Sequence, residues 1–157
     1  MGAGKSTIGK LLASRLNWNF LDTDSLIEDR TGADIPWIFD VEGEDGFRTR
    51  ESAVLQEALQ EDSSVIATGG GIILRSENRE LLKSASTVIY LTATIDQLME
   101  RTSKDKKRPL LQVDDPKAKI IELFNHRDPL YSEVADHIIK TDGRSPRSVV
   151  SEIVNYV

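Results

Sequence analysis

Six residues near the start of the chain, Gly2-Ala3-Gly4-Lys5-Ser6-Thr7, have the types and spacing of a phosphate-binding loop. The P-loop pattern is G-x-x-x-x-G-K-[ST], and Gly4-Lys5-Ser6 supplies its last three elements. Glycines let backbone N–H groups approach phosphate oxygens, Lys5 can reach the outer phosphates of a nucleotide, and Ser6 can ligate Mg²⁺. A helix predicted to begin here adds the positive end of its dipole. This pattern favours phosphate binding over a chance glycine-rich turn.

Two aspartates, Asp22 and Asp24, follow a short strand predicted over residues 19–21. In an open α/β sheet, ligands bind at the carboxyl ends of the strands. One carboxylate could lie near Mg²⁺, and the other could accept a hydrogen bond from a substrate hydroxyl. The alternative is a helix N-cap, a position where aspartate is common. Next to a phosphate loop, the functional interpretation is favoured.

Three glycines and three arginines complete the candidate site. Gly69-Gly70-Gly71 ends a predicted strand, where the lack of Cβ atoms allows close approach to a ligand. Arg48 lies three positions before Glu51, which could pin its side chain on one helical face. Arg108 and Arg127 could each form bidentate hydrogen bonds with a phosphate or carboxylate. For an isolated arginine, a surface ion pair is the alternative.

Composition narrows the class of protein. The chain has 157 residues, enough for one domain, with 20 Lys+Arg against 26 Asp+Glu and a net charge of -6. This acidic balance argues against nucleic acid as a partner. The absence of cysteine excludes a disulfide framework and a thiolate metal site, and two histidines are too few for a zinc cluster. No apolar run reaches the length of a membrane span, so we expect a cytoplasmic protein.

Strands and helices alternate along the sequence, which predicts a layered α/β fold with parallel strands. Helices are predicted over residues 5–16, 25–30, 35–40, 46–60, 77–84, 95–102, 116–127 and 145–156. Strands are predicted over residues 19–21, 64–68, 87–91 and 137–141. The strand at 87–91 has the composition of a fully buried one. Residues 103–115 lack a sustained period and are predicted to form a mobile lid.

Together these motifs resemble the shikimate kinases. The elements that carry the resemblance are GAGKST at 2–7, D-x-D at 22–24, GE-x-x-FR-x-x-E at 43–51, ATGGG at 67–71, RPLL at 108–111, R-x-PLY at 127–131, AD at 135–136 and TD at 141–142. FR-x-x-E, TGGG and R-x-PLY separate this family from other P-loop kinases. The resemblance covers essentially the whole chain.

The resemblance implies a P-loop NTPase three-layer fold of the nucleoside-monophosphate-kinase type with a five-stranded parallel sheet. It implies a single kinase domain over residues 1–157, with a substrate-binding helical segment at about 24–60 and a lid at about 103–115. It also implies a monomer that acts on a small molecule, without nucleic acid or membrane.

The activity implied is transfer of the ATP γ-phosphate to the 3-hydroxyl of shikimate, giving shikimate 3-phosphate on the route to chorismate and the aromatic amino acids. By the same resemblance, Asp24, Arg48, Gly70 and Arg127 hold shikimate. Arg48 and Arg127 grip its carboxylate, while Asp24 binds its hydroxyls and is the candidate base.

The nucleotide side follows from the resemblance as well. Ser6, and Asp22 through water, position Mg²⁺, while Lys5 and Arg108 stabilise charge on the transferring phosphoryl group. Arg101 and the segment 144–146 match the region around adenine. The residues implied in ATP binding are Gly2, Ala3, Gly4, Lys5, Ser6, Thr7, Arg108 and Arg144.

One departure from the family concerns the sheet. Family members begin with an apolar strand that ends in the first P-loop glycine, and this strand is central in the sheet. The sequence starts after it, and the loss of a central strand would leave unpaired edges and a gap in the core. We therefore expect Met1 to be an internal methionine, with about ten more residues before it in the natural protein.

Two other functions are also compatible with the sequence. The first is another small-molecule P-loop kinase, acting on gluconate or a nucleoside monophosphate; paired arginines fit a carboxylate, so gluconate is compatible. The second is a non-catalytic nucleotide-binding homologue. A decayed site would be expected to lose some of its charged residues, and Lys5, Asp24, Arg48, Arg108 and Arg127 are all present.

Overall fold

The computed structural model describes residues 2–103 and 109–157, in which helices and strands alternate as predicted. The helices are α1 Lys5–Leu16, α2 Thr23–Thr31, α3 Ile35–Ala58, α4 Ser76–Ala85, α5 Ile95–Thr102, α6 Pro116–Val134 and α7 Pro146–Ile153. The strands are β1 Asn19–Asp22, β2 Ser64–Ala67, β3 Ile89–Thr92 and β4 His137–Lys140. Short 3-10 turns occupy Ile72–Leu74 and Pro109–Leu111. No helix within the described residues combines the length and apolar character needed to cross a bilayer.

The strands form two parallel pairs. β1 pairs with β2, with Asn19 opposite Ser64, and β3 pairs with β4, with Ile89 opposite His137. Within the described residues β2 and β3 are not paired with each other, so the five-stranded sheet implied by the resemblance is represented by four strands. A cavity of about 730 Å³ is lined by residues of both β2 and β3. The parallel α/β class is confirmed, and the sheet is divided by this cavity.

The cavity corrects one prediction about β3. Residues 87–91 have the composition of a fully buried strand, but every residue of β3 is only half-buried and Thr87 is exposed. Ile89 and Leu91 line the cavity, which explains why their apolar side chains keep accessible surface. The predicted strand is therefore present as β3, but the prediction that it is fully buried is wrong.

Helix α1 begins at the phosphate-loop candidate and is held by packing against the C-terminal part of the chain. Gly4 precedes it with φ 87°, in the left-handed region that favours glycine. Ile8 and Leu12 are buried in one apolar cluster with Val149 of α7 and Ile139 of β4. This packing fixes the helix start, and therefore the loop before it, against β4 and α7.

Helices α2 and α3 pack on each other through a second apolar cluster that includes Ile27, Ile38, Phe47 and Val54. The sequence predicts two helices in the α3 region, and in the structure α3 passes through Gly43, whose backbone conformation (φ 72°, ψ 177°) is not helical. The two predicted helices are therefore joined at a kink. The substrate-binding segment at about 24–60 includes most of α2 and all of α3, and its role stays a prediction.

Helix α6 corrects another prediction. The sequence predicts that this helix ends at Arg127, yet it continues through Pro129 to Val134. Proline lacks a backbone N–H and usually ends or kinks a helix. Here the last turn is stabilised by packing, because Val134 and Leu130 join the apolar cluster around Leu55. Arg127 and Tyr131 consequently lie one turn apart on the same helix.

Candidate functional site

The loop from Gly2 to Thr7 has the backbone conformation of a ligand cradle. Gly2 and Gly4 have φ values of 67° and 87°, which side chains rarely tolerate. The loop is braced from α5, because Arg101 donates hydrogen bonds to the Gly2 carbonyl oxygen at 3.1 Å and to Thr141 Oγ1 at 3.2 Å. The braced loop leads directly into the N-terminus of α1, where backbone N–H groups favour phosphate.

Ser6 and Asp22 meet beside this loop. The Ser6 hydroxyl donates to Asp22 Oδ2 at 2.8 Å, while Asp22 Oδ1 accepts from the backbone N–H groups of Asp24 and Ser25 at 3.1 and 3.3 Å. Asp22 is therefore the N-cap of α2 as well as the partner of Ser6, so the two interpretations offered by the sequence are compatible. A hydroxyl and a carboxylate are hard oxygen donors, which suit Mg²⁺.

Two carboxylates converge on Gly69. A Cβ atom added there would lie 2.6 Å from Glu51 Oε1 and 2.8 Å from Asp24 Oδ1. The Gly69 N–H donates to the hydroxyl of Thr23, a fully buried residue, at 3.2 Å. The strand end, α2 and α3 thus meet at a point where no larger residue fits. Asp24 lies at this point, and its role in binding substrate stays a prediction.

Arg48 is buried against the glycine loop formed by Gly69–Gly71, with 8% of its surface exposed. It donates to Glu51 Oε2 at 2.9 Å and to Glu44 Oε1 at 3.2 Å, which confirms the predicted pairing with Glu51. A Cβ atom on Gly71 would overlap Arg48 Nη1, so this guanidinium occupies the space that a side chain there would need. Burial raises the pKa of Glu51, and the neighbouring Arg48 opposes that rise.

Arg127 approaches from α6, with 6% of its surface exposed. A Cβ atom on Gly70 would lie 3.2 Å from Arg127 Nη1, so the guanidinium and this glycine are neighbours. The Nε atoms of Arg48 and Arg127 are buried and have no hydrogen-bond partner in the part of the chain that the structure describes. Two buried guanidinium groups with donors to spare form a site suited to an anion.

The other predicted arginines have different outcomes. Arg144 donates to Glu152 Oε2 at 2.6 Å and to the Ser148 carbonyl oxygen at 3.2 Å, so its guanidinium is engaged by α7. Its predicted role in ATP binding stays a prediction. Arg108 and much of the predicted lid, residues 104–108, lie outside the described residues. Beyond them Leu111 is buried against α6, packed with Ile120 and Leu123.

Sequence reasoning assigned no role to two hydroxyl groups at the glycine loop, those of Thr23 and Tyr131. Thr23 accepts from the Gly69 N–H, and Tyr131 donates to the Gly70 carbonyl oxygen. Tyr131 belongs to the R-x-PLY motif, but the predicted helix end at Arg127 placed it beyond the helix. A helix continued past Pro129 would have brought Tyr131 onto the face of Arg127.

Comparison with known proteins finds relatives that match over nearly the whole chain. A family model described as shikimate kinase matches residues 1–157. A shikimate kinase of Vibrio parahaemolyticus is 53% identical over 154 residues, which cover 98% of this chain and 90% of that protein. The structure of a shikimate kinase from Acinetobacter baumannii in complex with shikimate superposes with a TM-score of 0.97 at 49% identity, covering 99% of this chain and 87% of that one.

A gluconokinase from Sinorhizobium meliloti superposes with a TM-score of 0.64 at 14% identity, covering 99% of this chain and 85% of that one. At this level of identity, the likeness establishes a common fold and leaves the substrate open. The family match and the relatives near 50% identity are specific, because they extend over nearly the entire chain. The chain belongs to the shikimate kinase family.

Proposed function

We propose that this chain transfers the γ-phosphoryl group of ATP to the 3-hydroxyl of shikimate, and that the residues around the glycine loop select the acceptor. The observation that carries the proposal is the pair of buried guanidinium groups, Arg48 and Arg127, whose Nε atoms have no partner in the described part of the chain. A buried donor without a partner costs free energy. A bound carboxylate would remove that cost, and shikimate carries one.

The acceptor is positioned from two sides. Arg48 and Arg127 hold the carboxylate, and the backbone of Gly70, which adjoins Arg127, lies against the substrate. Asp24, whose Oδ1 lies over Gly69, accepts hydrogen bonds from the ring hydroxyls. The substrate therefore lies with its carboxylate toward α3 and α6 and its reacting hydroxyl toward α2 and the phosphate loop.

Asp24 serves as the base in the transfer. The 3-hydroxyl oxygen forms a bond to the γ-phosphorus while the bond from that phosphorus to the bridging oxygen breaks, and ADP leaves. The hydroxyl proton passes to the Asp24 carboxylate. Lys5, at the start of α1, stabilises negative charge on the moving phosphoryl group. Arg108 is proposed for the same role from the lid.

ATP is held by the loop from Gly2 to Thr7, with Arg144 and the neighbourhood of Arg101 proposed near adenine. Ser6 and Asp22, which are 2.8 Å apart through Oγ and Oδ2, are the oxygen ligands proposed for Mg²⁺, with Asp22 acting through water. When bound, Mg²⁺ neutralises charge on the phosphate oxygens. The donors present fit this ion, because Mg²⁺ prefers carboxylate and hydroxyl oxygen.

The same proposal places the chain in the cytoplasm as a monomer with a small-molecule substrate. The net charge of -6 supports the exclusion of nucleic acid, since phosphate backbones attract basic surfaces. Size-exclusion chromatography with light scattering tests the monomer, and a mass near twice 17.5 kDa would contradict it.

A coupled ADP-release assay tests the function. With ATP and Mg²⁺, we expect ADP release on addition of shikimate and a product heavier by one phosphoryl group. Gluconate, also a hydroxylated carboxylic acid, should give no release above background and serves as the matched acceptor control. Folded protein that leaves shikimate unchanged would contradict the proposal, and turnover of gluconate alone would move the chain to the other substrate class.

A further inference from the structure

The loop at Gly69–Gly71 has no side chain to fix its conformation. Three consecutive glycines lose more conformational freedom on ordering than other residues, so contacts from outside must hold them. The hydroxyl of Thr23 accepts from the Gly69 N–H at 3.2 Å, and the hydroxyl of Tyr131 donates to the Gly70 carbonyl oxygen. The loop is thus held at successive residues by two hydroxyl groups from different helices.

The Tyr131 hydroxyl lies beside the substrate-binding arginine. A Cβ atom on Gly70 would be 3.1 Å from Tyr131 Oη and 3.2 Å from Arg127 Nη1, so both groups lie against the same glycine. Because the peptide group is planar, fixing the carbonyl of Gly70 also fixes the N–H of Gly71 in the opposite direction. One hydrogen bond therefore sets the orientation of this peptide group relative to Arg127.

The Tyr131 ring is itself anchored. Its centroid lies 4.8 Å from that of Tyr90 on β3, and the Tyr90 hydroxyl donates to Asp128 Oδ1 at 2.8 Å. Asp128 follows Arg127 directly on α6. Contacts of Tyr90 and Tyr131 therefore link β3, the turn of α6 that contains Arg127, and the glycine loop. A tyrosine hydroxyl is ordinarily protonated at neutral pH and can donate there, and burial raises the pKa of Tyr131 further in the same direction.

We propose that Tyr131 is a positioning residue for acceptor binding. The Tyr131 hydroxyl holds the Gly70 carbonyl, and this fixes the glycine loop relative to Arg127 where the substrate carboxylate binds. This inference rests on the proposed function. This positioning role belongs to the Tyr131 hydroxyl, since the contact between the Tyr131 and Tyr90 rings does not involve the oxygen. Loss of the hydroxyl should therefore weaken acceptor binding and leave the nucleotide side, built on α1 and α5, unchanged.

Tyr131→Phe tests the inference, since it removes the oxygen and keeps the ring. We expect the KM for shikimate to rise about 5- to 20-fold, the range for loss of one buried hydrogen bond, with kcat and the KM for ATP within about twofold. Tyr156→Phe is the matched control: Tyr156 lies near the C-terminus, stacked on His137, and its variant should match the parent protein. Thr23→Val, which removes the other loop contact, should also raise the KM for shikimate.

The results of these assays distinguish failure of this inference from failure of the proposed function. The parent protein is assayed first, and absence of shikimate turnover would overturn the proposed function and the inference together. Turnover with an unchanged KM for shikimate in Tyr131→Phe would overturn the inference alone. A variant that does not fold, or in which the thermal midpoint falls and both KM values rise in parallel, would also overturn it, because the hydroxyl would then be structural.

Discussion

The acceptor side and the nucleotide side of the candidate site are built differently. On the acceptor side, Arg48, Glu51 and Arg127 are buried, at 8%, 0% and 6% exposure. On the nucleotide side, Ser6 and Arg101 are exposed, and the loop depends on backbone conformation. Buried charges are costly unless they are paired, so their positions are tightly constrained. If Arg48 and Arg127 bind the acceptor as proposed, their pocket is arranged before substrate arrives, whereas the loop at Gly2–Thr7 offers mainly N–H groups and one lysine.

This difference has a consequence for function. The buried charges of Arg48 and Arg127 can bind a complementary anion without first rearranging. We therefore expect them to govern which acceptor is bound. Under the proposed mechanism, groups at the phosphate loop act on charge that develops during transfer. We therefore expect variants on the two sides to alter different kinetic constants, acceptor KM on one side and kcat on the other.

The largest effect is expected on the nucleotide side, from Lys5→Ala. Loss of this ammonium removes stabilisation of the transferring phosphoryl group, so kcat should fall by about 10²- to 10³-fold, with the KM for shikimate changed by less than about threefold. Steady-state ADP release measures both constants. Lys10→Ala is the matched control, because Lys10 is an exposed lysine of the same helix. Transfer that survived unchanged in Lys5→Ala would remove Lys5 from the mechanism.

On the acceptor side, Arg127→Lys keeps the charge and loses the planar fork of donors. The KM for shikimate should rise about 10- to 100-fold, while the KM for ATP stays within about twofold. Arg147→Lys, at an exposed position on α7, is the control and should be silent. A parallel rise in the KM for ATP would show that the two sides are not independent.

The cavity between β2 and β3 offers a way to sharpen the comparison. The two strands line a space of about 730 Å³, and an apolar segment of about five to ten residues joined ahead of Met1 could enter it as a strand. We expect the thermal midpoint to rise by at least about 4 °C. The KM for ATP should fall more than the KM for shikimate, because such a segment leads directly into the loop at Gly2–Thr7.

The control is a Gly/Ser segment of equal length, which cannot bury apolar surface or favour a strand. Equal behaviour of the apolar and Gly/Ser extensions would contradict the prediction. It would indicate that the cavity does not accept a strand supplied from that end.

The smallest effect concerns pH and Glu51. Burial raises the pKa of its carboxyl group above the usual 4.5. The stabilisation from a raised pKa is fully present below 4.5 and is lost as the pH rises through the folded-state pKa. The free energy of unfolding of the parent protein, minus that of Glu51→Gln, should therefore fall as the pH rises from about 4.5, as measured by urea unfolding.

Glu57→Gln provides a control of opposite sign. Arg30 lowers the pKa of the exposed Glu57 carboxyl group, so its contribution is present above the usual 4.5 and is lost as the pH falls. A difference curve for Glu51→Gln that rose with pH would contradict the assignment of burial as the dominant influence on Glu51.

The elements that carry local signals were predictable from the sequence. Helix α1 begins and ends as predicted because Gly4 and Asn17 take left-handed conformations at its ends, and α5 also has its predicted bounds. The Arg48–Glu51 pair followed from helical spacing, and its geometry confirms it. These features depend on residues close together in sequence, where propensity and periodicity are informative.

Features that depend on tertiary packing were missed. Helix α6 continues past Pro129 because its last turn packs against the cluster around Leu55, a contact far away in sequence. The half-burial of β3 follows from the cavity, which no local pattern reveals. The contact of Tyr131 with Gly70 depended on that helix continuing, so its role was hidden by the error in the predicted helix end.

The most direct test of a preformed carboxylate site compares shikimate with its methyl ester as phosphoryl acceptors. The ester keeps every hydroxyl group and loses the negative charge that Arg48 and Arg127 are proposed to hold. We predict that kcat/KM for the ester is about 10²- to 10³-fold lower, as expected for losing two hydrogen bonds to charged groups, with the KM for ATP unchanged. Equal kcat/KM values for the acid and the ester would contradict the account.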